Sequence, residues 1–275
     1  MKKVISILLA AIGIPILIYQ MLNLANKCIF YIYLYINHID FDTLTQNQID
    51  NILMSNVYIG SVVGEFLAVL ILLIIFLFTK EGLIKRCKFR KVKPKKLGVI
   101  TLIMIGFSFL SITFIYFMQN ITTSYSSTEQ AMHLAWQSGI EIIGTVILVP
   151  ILEEILFRGA IFSVLKNNLN IYIAIIIQGI VFAVMHGNLV QSGYTFFLGI
   201  ILVLISDYAG SMIGDIYAHM VFNLFGLIIM PVLQVFFFNP YIYIIIGIVV
   251  LGFGAYLYYL DIKKQRPNIN NIENK

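Results

Sequence analysis

The chain has 275 residues, of which 60% are hydrophobic and 11% charged, and its mean hydropathy is +0.94. A soluble domain carries about 25% charged residues, so the composition excludes a soluble globular protein and points to an integral membrane protein. The net charge of +5 is concentrated: between Lys80 and Lys96 stand Lys80, Lys85, Arg86, Lys88, Arg90, Lys91, Lys93, Lys95 and Lys96 against Glu81 alone. Flanked by two apolar spans, this run reads as a cytoplasmic loop facing anionic lipid and not as a nucleic-acid site.

A helix that crosses a bilayer needs about 20 mostly apolar residues. The first such run follows Met1-Lys2-Lys3 and lacks a small-x-small cleavage site, so it reads as a retained first helix and not a signal peptide. Runs of this kind fall near 4–25, 57–78, 97–118, 141–166, 171–187, 191–207, 211–230 and 241–260. The fold class that follows is all-α, a polytopic membrane helix bundle of about eight transmembrane helices. The segment Cys28–Ile36 either extends the first helix or lies at the interface. Residues 1–138 supply N-terminal spans and the basic loop, 139–230 a core, 231–262 a last span, and 263–275 a polar, disordered, basic tail.

Orientation follows from Lys and Arg. Lys2, Lys3, the 80–96 loop, Lys166 and the tail residues Lys263, Lys264 and Arg266 belong on the cytoplasmic side, and Lys27 is the one residue that dissents. The segments 37–56 and 119–138 contain no Lys or Arg and suit the outer face, with His133 and Trp136 in the second of them. Eight spans leave both termini cytoplasmic in a multi-pass cell-membrane protein, and the Ile, Asn and Lys usage points to a bacterial source. The two cysteines, Cys28 and Cys87, fall on opposite sides, which argues against a disulfide, and there is no CxxC metal motif.

The fourth span contains Leu152-Glu-Glu-Ile-Leu-Phe-Arg158-Gly, three charged side chains inside an apolar stretch. A helix ending at Phe157 would place Arg158 in water. However, the seven residues after Arg158 are apolar or small, and the polar turn begins at Lys166. A helix running through to Lys166 sets Glu153 about 20 Å from the inner boundary at 1.5 Å per residue. On the same rise His186 lies about 22 Å in, His219 about 12 Å and Asn223 about 18 Å. Phe182 and His186, Glu154 and Arg158, and His219 and Asn223 are each spaced i, i+4 and share a helix face. Arg158 can therefore pair with Glu154 and leave Glu153, about 100° around the helix, to point elsewhere. Pro150, a turn earlier, removes a backbone hydrogen bond and favours a kink. Ionisable groups in spans are rare and usually functional.

Two arrangements of these groups would activate water. In one, Glu153 is a general base while Asn223 and a histidine stabilise the oxyanion formed at an amide carbonyl. In the other, Glu153, His186 and His219 form an open three-ligand zinc site. A serine relay through Ser163 has no histidine at a fixed spacing to support it, and the HExxH zinc-protease motif is absent.

Taken together, Glu153-Glu154-x-x-x-Arg158, Phe182-x-x-x-His186 and His219-x-x-x-Asn223 resemble the motif trio of the CPBP family. These are the CAAX-protease and bacteriocin-processing (Abi) intramembrane endopeptidases, and the resemblance covers roughly 140–225. It implies that Glu153 activates water and that Glu154, Arg158, His186, His219 and Asn223 complete the site, with zinc as a cofactor still open. It also implies a membrane-associated peptide or protein substrate, in pheromone or bacteriocin maturation or immunity. The rival reading is a non-catalytic peptide transporter, immunity protein or scaffold using the same polar residues. Glu65, mid-span beside Gly60 and Gly64, reads as a helix-packing hydrogen-bonding residue.

Overall fold

The computed structural model describes residues 1–134, 136 and 138–264 in full, and places Ala135 and 265–273 as helical backbone only. Eleven helices organise those residues. They are α1 (Lys2–Ile36), α2 (Gln46–Ser55), α3 (Val57–Leu77), α4 (Leu83–Cys87), α5 (Pro94–Gln119), α6 (Ser126–Ala135), α7 (139–168), α8 (Ile171–Met185), α9 (Leu189–Ala209), α10 (Met212–Phe236) and α11 (Pro240–Lys264). No strand occurs among the described residues, and the chain is an all-α, multi-pass membrane protein.

Six helices, α1, α3, α5, α9, α10 and α11, are long and apolar enough to cross a membrane by length and composition. The other two expected spans are helical but differ in kind. Helix α7 runs unbroken to Asn168, past Arg158, but it carries the charged side chains of the first motif. Helix α8 has 15 residues, about 22 Å at 1.5 Å per residue, which is short of a hydrocarbon core of about 30 Å. Helix α1 continues through Ile36, so Cys28–Ile36 extends it. Two short polar helices, α2 and α6, fill the segments expected on the outer face. Helix α2 starts at a capping box in which Thr45 and Gln48 satisfy each other's backbone N–H groups. Of the expected disordered tail, 263–275, residues 263–273 continue the helical backbone of α11, and 274–275 lie outside the described residues.

Wide, π-type turns interrupt four places: Leu9–Gly13, Gly144–Leu148, Ile155–Phe162 and Phe225–Ile229. In three of them a proline follows two residues later, at Pro15, Pro150 and Pro231. A proline has no N–H and its ring crowds the carbonyl four residues back. That carbonyl lies inside the wide turn each time, so the ladder slips by one residue there. The stretch Ile155–Phe162 has no such proline. It carries Arg158, and wide turns without a local sequence cause cluster at functional sites.

The chain divides into two compact units, one of Met1–Lys88 with Thr122–Ile200 and one of Phe89–Ile121 with the chain from Ile201 on. In the first, α3 lies between α1 and α7. A Cβ on Gly64 would stand 2.7 Å from the Leu22 Cα, so α1 and α3 meet backbone to backbone. On its other side α3 runs along α7, with Val62 against Gly144. Helices α8 and α9 also meet through glycine, where a Cβ on Gly199 would lie 3.2 Å from the Gly179 Cα.

The two ends of this unit sort by charge. At one end the start of α1 packs against Ser163–Asn168, and α4 packs against Ile155–Phe162, with Arg86 Nη1 donating to Ser163 Oγ at 3.2 Å. At the other, α2 packs against α6, and Gln130 Nε2 donates to Asn51 Oδ1 at 3.0 Å. The basic segments thus gather at one end, and the segments without Lys or Arg at the opposite one.

The second unit is built on α5 and α11. A Cβ on Gly106 would approach the Leu251 Cα to 2.7 Å, so these helices also touch along their backbones. Helix α10 joins α5 through the Phe107 and Phe222 rings, 5.5 Å apart, and a 2.7 Å hydrogen bond between Thr101 Oγ1 and the Tyr217 hydroxyl. Lys95 pairs with Asp261, whose second oxygen accepts from the Tyr208 hydroxyl at 2.9 Å.

Candidate active site

Helix α7 presents the adjacent carboxylates in two different environments. Glu154 is fully buried, whereas Glu153, one position on, is half-buried. Glu154 is held by Arg158 one turn later, with Nε to Oε2 at 2.9 Å. The guanidinium is itself buried, donates from Nη2 to the Gly199 carbonyl of α9 at 3.3 Å, and lies 4.7 Å over the Phe182 ring of α8. The glycine contact between α8 and α9 brings that carbonyl close enough to accept.

Phe182 connects the two motifs. Its ring meets Phe157 edge to face at 4.8 Å on one side and the His186 imidazole at 4.8 Å on the other. Its carbonyl lies 2.8 Å from His186 Nδ1. His186 was expected inside the helix, but α8 ends at Met185, and His186 occupies its C-terminal cap. Gly187 then takes a left-handed φ of 75° that glycine adopts at no steric cost. The ring is therefore fixed by the helix's own last turn. Glu154, Arg158, Phe182 and His186 form one continuous run of contacts in the first unit.

Glu153 has further neighbours on other helices. It lies within electrostatic reach of Glu65 on α3 and Tyr194 on α9. Sequence reasoning assigned Glu65 to helix packing, but the close packing of α3 is done by Gly60 and Gly64 against α1. Glu65 is 5% exposed and its Oε2 has no hydrogen-bond partner among the described residues. Tyr194 was missed altogether, since nothing distinguishes it among 16 tyrosines until the helices are assembled.

In the second unit, His219 and Asn223 stand i, i+4 on α10, the imidazole buried and the amide half-buried. Phe222 beside them packs on Phe107 of α5. The wide turn Phe225–Ile229 begins two residues beyond Asn223, and Pro231 accounts for it. Pro150 has the same relation to Gly144–Leu148, ahead of Glu153, where the expected kink takes the form of a wide turn.

Among the described residues, no group of three or more His, Cys, Asp or Glu side chains is drawn together as a metal ion would require.

Residues 135–225 match a protein-family model described as Type II CAAX prenyl endopeptidase Rce1-like. Over these residues the chain is similar to the CAAX-protease (CPBP) family. The match begins just before α7 and ends two residues past Asn223, so it takes in α7, α8, α9 and the first half of α10 with all six candidate polar residues. No curated protein and no solved structure matches the chain.

Proposed function

We propose that the chain is an intramembrane endopeptidase of the CAAX type that hydrolyses a peptide bond in a membrane-associated peptide or protein. The observation that carries this reading is the division of labour on α7 within the family core. Glu154 is committed to a buried ion pair with Arg158, and Glu153, half-buried beside it, is the carboxylate assigned to water.

In the proposed reaction Glu153 takes a proton from a water molecule as its oxygen attacks the peptide carbonyl. His186, oriented by the Phe182 carbonyl, aligns that water. His219 and Asn223 donate to the oxyanion, the role that preorganised N–H groups fill in acyl transfer. The proton held by Glu153 passes to the leaving nitrogen as the carbon–nitrogen bond breaks, which gives a carboxylic acid and an amine. Zinc, were it bound, would draw on Glu153, His186 and His219 and polarise the carbonyl or the water; the steps above use the protein's own groups.

The substrate class is a short peptide or a protein terminus that enters from the lipid. The orientation that goes with it puts the basic end, with Lys2, Lys3, the 80–96 loop and Lys166, in the cytoplasm of a bacterial cell. Pheromone or bacteriocin maturation, or immunity to such peptides, fits this class. The test is product mapping by mass spectrometry, with the purified chain incubated with a prenylated CAAX peptide and with the same peptide unprenylated. Cleavage of either at one defined bond supports the reading, and prenyl dependence fixes the substrate type. Binding of both without cleavage would favour the non-catalytic transporter or immunity reading.

A further inference from the structure

His186 stands in a turn that is tied to the loop helix α6 by the side chains of Asn188, Gln191 and Thr128. Asn188, two residues on and just ahead of α9, accepts at Oδ1 from the Gln191 backbone N–H at 2.8 Å, the bond of a helix N-cap. A backbone N–H can only donate, so the other amide atom of Asn188 is Nδ2, with two protons to give. One is donated to Gln191 Oε1 at 2.6 Å and the other to Thr128 Oγ1 of α6 at 2.7 Å. The Thr128 hydroxyl, accepting that bond, donates its own proton to the same Gln191 oxygen at 3.3 Å. The triangle is closed, because turning over either amide would set two donors face to face.

The same turn holds the imidazole. The Phe182 carbonyl, 2.8 Å from His186 Nδ1, can only accept, so Nδ1 carries the proton and Nε2 of the neutral ring keeps the lone pair. Ser192, in the first turn of α9, donates from Oγ to the Ala183 carbonyl at 2.8 Å and closes the last turn of α8. Between the two helices stand His186, the left-handed Gly187 and Asn188. A shift of the α9 start is therefore passed to the ring through two residues of backbone. We infer that Thr128 and Asn188 are positioning residues of the site. Their hydrogen bond fixes α6 to the α9 start, and it thereby fixes His186 Nε2 against the water that Glu153 activates. The short polar helix α6 is in this way part of the catalytic assembly. The inference rests on the endopeptidase reading and deepens it.

The test uses the full-length chain in detergent and a quenched fluorogenic, prenylated CAAX peptide whose cleavage by the wild type is first shown to depend on Glu153. Thr128→Val keeps the shape of the side chain, removes the hydroxyl and leaves the α9 cap intact. Asn188→Ser keeps a capping oxygen and removes both amide donors. Each is expected to lower kcat by about 2- to 10-fold, the range for loss of one neutral hydrogen bond. KM stays within about twofold, measured well below each variant's melting temperature. The double variant loses no more than the worse single one, because both changes break the same link. Thr128→Ser keeps the hydroxyl and restores the rate. Gln130→Ala removes a contact of α6 with α2 instead and leaves the rate unchanged. Wild-type kcat in Thr128→Val, additive losses in the double variant, or a Gln130→Ala loss as large as that of Thr128→Val overturns the inference and leaves the endopeptidase reading standing. A wild type that cleaves no peptide, or cleaves without Glu153, overturns that reading and this inference with it.

Discussion

Arg158 and Glu154 form a buried ion pair one helical turn apart, Nε to Oε2 at 2.9 Å, with side chains only 2% and 0% exposed. The pair anchors α7 to α8 and α9, because the same guanidinium reaches the Gly199 carbonyl and covers Phe182. Removing one partner of a buried pair leaves an uncompensated charge and costs about 3–5 kcal/mol. Arg158→Met is expected to lower thermal stability in detergent by that order. Arg158→Lys should not restore it, since an ammonium cannot replace the planar fork that pairs, donates and stacks at once. The double variant Glu154→Gln with Arg158→Met should recover much of the loss. Thermal unfolding of the three variants decides this, and a near-neutral Arg158→Met would show that the pair carries no load.

The glycine contacts give a second prediction with an internal control. Ala at Gly64 would push its Cβ to 2.7 Å from the Leu22 Cα, and Ala at Gly106 would do the same at Leu251. In both cases the obstacle is backbone, which cannot rotate away, and overpacking of this kind costs about 1–3 kcal/mol. Gly98, on the same helix as Gly106, has nothing within 4 Å of its would-be Cβ. Gly98→Ala should therefore stabilise α5 by about 0.5–1 kcal/mol through propensity alone. Melting temperatures that fall for the first two and rise for the third are the expected pattern.

The cysteines separate by reactivity and pH. Both are free, Cys28 exposed and Cys87 buried, and burial pushes the Cys87 thiol up to about 12. Only the thiolate attacks an alkylating agent. At pH 8 a maleimide should label Cys28 in the folded chain and spare Cys87 until the chain is unfolded. The folded value lies above the ordinary thiol value of 9.0. The neutral thiol thus favours the fold below pH 9, and that contribution is lost as pH rises toward 12. Equal labelling of the two cysteines in the folded state would contradict the packing around α4.

Much of the fold was legible because hydropathy and Lys/Arg placement act over 20 residues at a time. The course of α7 past Arg158 was legible from the apolar stretch that follows, and the Glu154–Arg158 pair from i, i+4 spacing. The end of α8 was not, because it is set by the left-handed turn at Gly187 and not by polarity. Helices α2 and α6 were hidden because they are short and polar, and a span-length hydropathy pattern cannot register them. Around Glu153 the limit is a different one. Glu65 stood out as a charge in a span, yet its neighbour depends on which face of α3 meets α7. Tyr194 carries no local signal, and its relation to Glu153 exists only once α9 is packed.

The central claim is that Glu153 activates water for peptide hydrolysis, and it is tested most directly by the cleavage rate of one defined peptide substrate with the purified wild type, Glu153→Gln and His186→Ala. Loss of a positioned general base costs about 100- to 10,000-fold. The account predicts a fall in that range for Glu153→Gln and a large fall for His186→Ala, with all three proteins folded to the same melting profile. Cleavage by Glu153→Gln at the wild-type rate would contradict it.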